Sequence, residues 1–321
     1  MSSKKSKFSI FILCVFISVI VLIGSSESFS HSRVHDDLQF YTVKEGGSFN
    51  SILEDFSLQP AEKFLLKVYL RVNDINIAQA GYYYVKNQLW KDFLFSINKG
   101  DVFIFKLKIP AGKNLFEIKK ILLESNLNND CNNFKCLDVR YNFVEGTLKP
   151  DTYFYKDSAS LTKLLQQSQE EFYELANSFW IDKSPNLPIK NLSDALILAS
   201  IVEKEAGNDD EKSVIAGVFL HRLSIGMKLQ ADPTIIYGLM PDFNGNITKA
   251  NLKDKNNPYN TYQIQGLPPT PISTISQSSL EAVILGMKNE YLYFVAKGDG
   301  THKFSKTYKE HLKAVRKYQL N

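Results

Sequence analysis

Hydrophobic and polar positions divide the chain into stretches of distinct character. Lys4, Lys5 and Lys7 precede an uncharged apolar run from Phe8 to Gly24. Its seventeen residues are at the short end of what crosses a bilayer as a helix. The basic flank is expected to stay inside, which sends everything after Gly24 outside. Gly24-Ser25-Ser26 offers a cleavage site as an alternative, but no A-x-A pattern is present and an uncleaved anchor is the preferred reading. Residues 25–36 are polar and rich in Ser and His, which predicts a short stalk. Phe40–Val43 then alternates as a strand does, Lys44–Ser48 reads as a turn, and Phe49, Ile52 and Leu53 open a helix with Ser48 at its N-cap.

The same order returns 66 residues later, where Leu107 and Ile109 are followed by Gly112 and then Leu115 and Ile118. Such an echo predicts two related strand–turn–helix units. Between them Gly81–Val85 reads as a strand and Trp90–Ile97 as a short helix. From Val144 the run Glu145-Gly146-Thr147-Leu148-Lys149-Pro150-Asp151-Thr152-Tyr153 has loop character. Helical spacing follows from Ser160 to about Phe179. A second and more apolar helix is expected over Ser193–Ala206, with Ser193 capping its start and Gly207 as a left-handed stop. Asn208 and Glu211 have the spacing of a capping box for a helix running to Gly226. A hairpin is predicted across Gly298-Asp299-Gly300, and a closing helix over 306–318.

Composition narrows the classes without choosing one. The 321 residues carry 38 basic and 34 acidic side chains, a net +4 that is too balanced for a nucleic-acid partner. Cys131 and Cys136 suit a disulfide in an oxidising compartment, while Cys14 lies in the apolar run. The histidines carry no H-E-x-x-H pattern, and no G-x-S-x-G elbow or phosphate loop is present. No metal or cofactor is therefore expected.

The candidate chemistry lies in Leu196–Gly207. Glu203 and Glu205 stand about 200° apart on a helix and cannot share a face. Glu205 continues the apolar stripe of Ile197, Leu198 and Ile201. A carboxyl there is partly desolvated, so its pKa rises toward that of a general acid. A solvated helix tip is the competing reading of the same residues.

The surrounding blocks resemble the endolytic murein transglycosylases, the MltG or YceG-like family. They are A-L-I-L-A-S-I-V-E-K-E-A at 195–206, V-F-L-H-R-L-S-I-G-M-K-L-Q-A-D-P-T-I-I-Y-G-L at 218–239, E-G-T-L-K-P-D-T-Y at 145–153, P-Y-N-T-Y at 258–262, G-L-P-P-T-P-I at 266–272 and Y-L-Y-F-V-A at 291–296. His302, Phe304 and His311 extend the match. Thr270 stands where Gly is usual, and Leu312 where Asn is common. The resemblance implies a peptidoglycan lyase that cuts MurNAc–GlcNAc β-1,4 bonds within strands, leaves 1,6-anhydro-MurNAc ends and terminates nascent strands, with Glu205 as its single acid/base. Its implied partners are glycan strands and peptidoglycan synthases. Its implied place is the inner membrane, crossed once, with the catalytic domain in the periplasm. A hydrolytic muramidase using Glu205 with Asp232, or a non-catalytic scaffold, is the alternative.

Other residues carry two readings each. Gln230 and Asp232 either contact sugar or, for Asp232, cap a short helix through Tyr237. Tyr259, Asn260 and Tyr262 suit a saccharide groove or anchor their loop. Glu145 and Asp151 line the cleft or, as preferred, pin their loop; His302 and Phe304 border the site, and His221 is structural. The 41–52 pattern also resembles LysM modules. The expected fold is therefore α+β: a tip, anchor and stalk over 1–36, a small LysM-like α+β subdomain over 37–108, and a larger mixed α/β catalytic domain over 109–321.

Overall fold

The computed structural model describes residues 2–34 and 38–319. The elements are α1 (Ser2–Ser30), β1 (Phe40–Val43), α2 (Phe49–Asp55), α3 (Pro60–Val72), β2 (Gly81–Tyr84), α4 (Trp90–Lys99), β3 (Ile104–Ile109), α5 (Leu115–Leu123) and β4 (Asp151–Lys156). They continue as α6 (Leu161–Ile181), α7 (Leu192–Glu205), α8 (Lys212–Ser224), α9 (Asp232–Gly238), α10 (Lys249–Lys253), α11 (Gln277–Leu285), β5 (Tyr293–Ala296), β6 (His302–Ser305) and α12 (Tyr308–Tyr318). Among the described residues three two-stranded sheets, β1–β2, β3–β4 and β5–β6, complete a mixed α+β chain. It divides into two compact units: residues up to Phe105 with Phe154–Ala159, and Lys106–Tyr153 with the residues from Ser160 onward.

In the first unit α1 is long and apolar enough to cross a membrane. Phe8, Phe11, Phe16 and their neighbours lie bare on its surface. The helix runs beyond Gly24 into the expected stalk. There the Ser26 hydroxyl donates to the Leu65 carbonyl at 2.9 Å and Ser30 is fully buried. This part of the stalk is thus packed helix, because its short hydroxyl side chains let α1 approach α3 closely. His35 and Asp36, the far end of the stalk reading, lie outside the described residues. His31 stands four before His35, and its ring meets the Glu27 carbonyl at 2.9 Å and Lys91 Nζ at 2.8 Å.

After α1 this unit runs strand, two helices, strand, helix, from β1 to α4. β1 and β2 pair antiparallel with Phe40 opposite Tyr84 and Val43 opposite Gly81. Leu53, Leu66, Trp90, Phe93, Leu94 and Ile97 fill a core beneath them.

The repeat seen in sequence has a common local geometry. Gly46 and Gly112 both adopt left-handed φ, 75° and 74°, which favour a residue without Cβ. Two residues after each, Ser48 and Asn114 close capping boxes on Ser51 and Glu117. Each box satisfies two orphan N–H groups and is worth about 1 kcal/mol.

In the second unit α7 is buried nearly all round, from Leu192 through Val202, as expected of a helix apolar on every face. α6, α8 and α11 surround it, and the core draws on Phe172, Tyr173, Phe219, Leu229, Ile275 and Val283. Several local expectations change. Asn191 rather than Ser193 caps α7, accepting from the Asp194 N–H at 2.8 Å. Gly207 is not left-handed; a Cβ there would meet the Gly300 carbonyl at 2.4 Å, so close backbone approach excludes a side chain. The 145–153 run is loop only to Pro150, after which β4 begins. Cys131 and Cys136 form a disulfide with Cα atoms 5.4 Å apart.

Candidate functional site

α7 presents its two glutamates in opposite directions, and their surroundings differ in kind. Glu203 accepts from the Ser276 N–H at 3.1 Å, the Ser279 hydroxyl at 2.6 Å and the Ser276 hydroxyl. It also pairs with the buried Lys212 ammonium at 3.3 Å. Lys212 in turn reaches Ser278 at 3.0 Å and Asp209 at 2.6 Å. Glu203 therefore binds α7 to the start of α11 through its Oε2, which takes all of these contacts.

Glu205 lies at the last turn of α7 on the other face. Part of its surface remains open to solvent, yet protein closes around the rest, and none of the described residues donates a hydrogen bond to its carboxyl. Burial pushes its pKa up to about 8; the Asp232 charge pushes the same way, and the Arg222 guanidinium opposes both. A deep carboxyl without fixed donors, protonated at neutral pH and reachable from solvent, can give a proton to a bound oxygen.

The groups around Glu205 come from separate segments. Asp232 is the first residue of α9, and Pro233 follows it. Its side chain makes no cap; Oδ1 accepts the Tyr262 hydroxyl at 2.7 Å. The capping reading of Asp232 thus gives way to a Tyr262–Asp232 pair beside Glu205. Burial raises the Tyr262 pKa, as do the Asp232 hydrogen bond and charge and the Glu205 charge, so it stays a neutral donor. Gln230, just before, is exposed and adopts left-handed φ of 49°. Its N–H donates to the Thr261 carbonyl at 3.2 Å, and Ala231 N–H to the Thr261 hydroxyl at 2.9 Å. These bonds hold the 230–232 and 260–262 segments together.

Asn260 requires correction. It is fully buried, and its amide donates to the Asn251, Leu252 and Asp254 carbonyls while accepting from Tyr262 N–H at 3.1 Å. Every donor and acceptor is engaged inside the loop, so it anchors and cannot reach a sugar. Tyr259 is partly exposed; its hydroxyl meets Thr270 Oγ1 at 2.9 Å, and its ring packs edge-on against Tyr237 at 4.8 Å. Thr270 hands its own proton to the Pro271 carbonyl at 2.8 Å, so Tyr259 is the donor of that pair.

Glu145 pins its loop, as preferred from sequence. Its carboxyl accepts from Leu115 N–H at 3.1 Å, Gly146 N–H at 3.2 Å and the Tyr237 hydroxyl at 2.9 Å. Burial nevertheless holds its pKa at about 7, because desolvation outweighs the three donors. It is 5% exposed, too closed to meet substrate, so the alternative in which it lines the cleft gives way to a loop anchor. Tyr237 serves it as a donor. Asp151 is likewise a local brace, accepting from Thr152 N–H at 2.7 Å and pairing with Lys149.

The β5–β6 hairpin borders this end of α7, since the Gly300 carbonyl abuts Gly207 and accepts from Asn208 at 3.3 Å. His302 Nδ1 and N–H both engage Glu211, at 2.7 and 2.8 Å. Glu211 is therefore drawn away from Asn208, and the expected capping box is only half made: Asn208 Oδ1 takes Glu211 N–H at 3.1 Å. The Phe304 ring packs on Tyr291 and Phe294. His221 lines a separate cavity of about 650 Å³ with Leu187, Leu220 and Met287, away from Glu205. Among the described residues no group of three His, Cys, Asp or Glu could hold a metal ion.

Sequence reasoning passed over Arg222, although a signal existed. It continues the buried stripe of Ile215, Val218 and Phe219 on α8, where a charge is out of place.

Known proteins share this architecture. The YceG-like family model matches residues 41–317. A protein of Bacillus subtilis (strain 168) named endolytic murein transglycosylase is 35% identical over 176 residues, 54% of this chain and 48% of the relative. One of the same name from Streptococcus pneumoniae (serotype 2, strain D39) is 35% identical over 158 residues, 48% of this chain and 28% of its own length. The chain thus spans about half or less of the curated relatives it matches. A crystal structure of a yceG-like protein from Listeria monocytogenes superposes with a TM-score of 0.55 at 27% identity, over 86% of this chain and 98% of that one. With the family pattern running through nearly the whole described fold, the chain belongs to the YceG-like family.

Proposed function

We propose that this protein is an endolytic lytic transglycosylase of peptidoglycan, with Glu205 as its acid/base. One observation carries the reading. Of the two glutamates on α7, Glu205 alone is a deep, unbonded carboxyl with its pKa raised to about 8, and it opens to solvent. The names of the B. subtilis and S. pneumoniae relatives supply the substrate class. Glu205 gives its proton to the MurNAc–GlcNAc bridging oxygen, and the C1–O bond breaks. The MurNAc 6-hydroxyl then bonds to C1 and returns its proton to Glu205, closing a 1,6-anhydro ring without consuming water. One carboxyl therefore serves both steps, where two act in most glycosidases. Gln230, Asp232, Tyr259 and Tyr262 lie on the segments that frame Glu205 and would contact the strand, with Tyr237, His302 and Phe304 at its border.

The anchor and the first unit fit the same role. α1 would hold the protein in the inner membrane with its lysines inside and the catalytic unit in the periplasm, where it terminates strands emerging from synthases. A cavity in the first unit, between the β1–α2 turn at Gly47–Asn50 and the segment Asp74–Ala78 after α3, would grip glycan in the manner of a LysM module. Mass spectrometry of isolated glycan strands incubated with wild-type protein and Glu205→Gln tests the reaction. Anhydro ends from the wild type and intact strands from the variant are expected. Reducing ends, heavier by one water, would make it a hydrolase with Asp232 as second carboxylate. Intact strands with both proteins would leave a binding scaffold.

A further inference from the structure

Arg222 is 6% exposed, yet its guanidinium pairs with no carboxylate among the described residues. Its bonds go to two neutral carbonyls: Nε to Leu292 at 2.7 Å, and Nη1 to Leu229. The Tyr293 ring lies beside it, 5.6 Å to the centroid. A buried cation without a counter-ion is expensive to hold in the fold. The matching oddity is Glu205, a deep carboxyl without a donor among the described residues. Two groups of opposite potential charge, each without an ionic partner among the described residues, thus stand in the last turns of α7 and α8, two helices packed against each other.

We infer that Arg222 is a positioning residue for the reaction, a fixed cation that stabilises the Glu205 carboxylate formed when the acid gives up its proton. The inference rests on the reading of Glu205 as the acid/base. A direct salt bridge would hold Glu205 ionised and useless as an acid. A guanidinium braced by two carbonyls instead sits ready at a distance and needs no reorganisation as charge develops. The balance of neighbours agrees: Asp232 on α9 disfavours the Glu205 carboxylate, Arg222 favours it, and the Tyr262 hydroxyl is bound to Asp232. Tyr293 on β5 and His311 on α12 complete the ring around Arg222, with the imidazole stacked on Tyr293 at 5.3 Å. Burial first and the Arg222 charge second lower the His311 pKa, so it adds no competing cation at neutral pH.

The test is a carboxyl-carbon NMR titration of Glu205 in the full chain, assigned by its loss in Glu205→Gln. Arg222→Lys keeps the charge; Arg222→Gln keeps an N–H donor and removes the charge. The Glu205 midpoint should rise by about one pH unit, a tenfold change, in Arg222→Gln and stay within a few tenths in Arg222→Lys. The alkaline limb of strand cleavage should move with it while the plateau rate falls at least tenfold. An unmoved midpoint in Arg222→Gln, or equal shifts in both variants, overturns the inference. If Arg222→Gln does not fold, the wild-type Arg222 guanidinium nitrogen resonances decide. They should titrate with the Glu205 midpoint and lose that titration in Glu205→Gln; guanidinium signals blind to Glu205 would overturn it equally. Cleavage by Glu205→Gln at the wild-type rate would instead remove the assignment of Glu205 as the acid, which the titration keeps distinct.

Discussion

The two glutamates at the end of α7, with one residue between them, show how side chains of one type come to differ in their surroundings. Glu203 shares buried Lys212 with the exposed Asp209, so Glu203→Gln removes the inner of that ammonium's two carboxylates. Thermal unfolding of that variant should show a loss of about 2 kcal/mol, since Asp209 stays beside the ammonium. Glu205→Gln should fold as the wild type does and lose cleavage at least a hundredfold. Its pH dependence has a definite sign. The folded pKa stands at about 8, above the ordinary 4.5, so the folded state favours the protonated acid. The associated stability is complete below pH 4.5 and is lost as pH rises through about 8. At pH 5 wild type and Glu205→Gln should therefore melt alike, while at pH 9 the variant should be the more stable by on the order of 2 kcal/mol. Cleavage should fall tenfold per unit above about pH 8, and Asp232→Asn should bring that limb to lower pH by removing a repelling charge. The helix-face pattern already separated the two carboxyls in the sequence. Which one would meet a cation was not legible, because Lys212, Ser276 and Ser279 arrive from distant segments.

At the scale of elements, close backbone approach decides the borders of the site. Gly207 touches the Gly300 carbonyl of the hairpin turn, and Gly146, with φ of 75°, would place a Cβ 2.6 Å from Pro271 and 2.9 Å from the Ser273 carbonyl. Gly146→Ala should cost about 2 kcal/mol in thermal unfolding, through both strain and displacement of the 271–273 loop. Gly207→Ala should instead push the hairpin from the end of α7. The expected result is a large loss of strand cleavage with a small change in melting temperature. Both glycines read as turn signals in sequence, yet only Gly146 is left-handed. The repeat of strand, left-handed glycine and capping box was legible because all of its parts lie within a dozen residues. The true cap of α7 was missed because Asn191 and Ser193 are both good capping residues two positions apart.

Across the whole molecule the apolar helix and the folded units make separate demands. α1 is bare from Phe8 to Val21 but buries Ser26 and Ser30 against its own unit. Removing residues through Gly24 should release the protein from membranes without lowering its melting temperature. Removal through Ser30 should destabilise it, as fractionation and thermal melts of the two truncations would show. Sequence by itself determined the long apolar N-terminal helix, the α+β order, the repeat, the family pattern and the separation of Glu205 from Glu203, because each depends on neighbours within a few turns or on an ordered series of blocks. Tertiary structure alone decided that Glu203 is tied to Lys212, that Asn260 and Glu145 face inward, that Asp232 holds Tyr262, and that Arg222 has no carboxylate partner among the described residues. Those outcomes depend on burial and on partners tens of residues away, and it is desolvation inside the folded chain that turns an ordinary glutamate into an acid with a pKa of about 8.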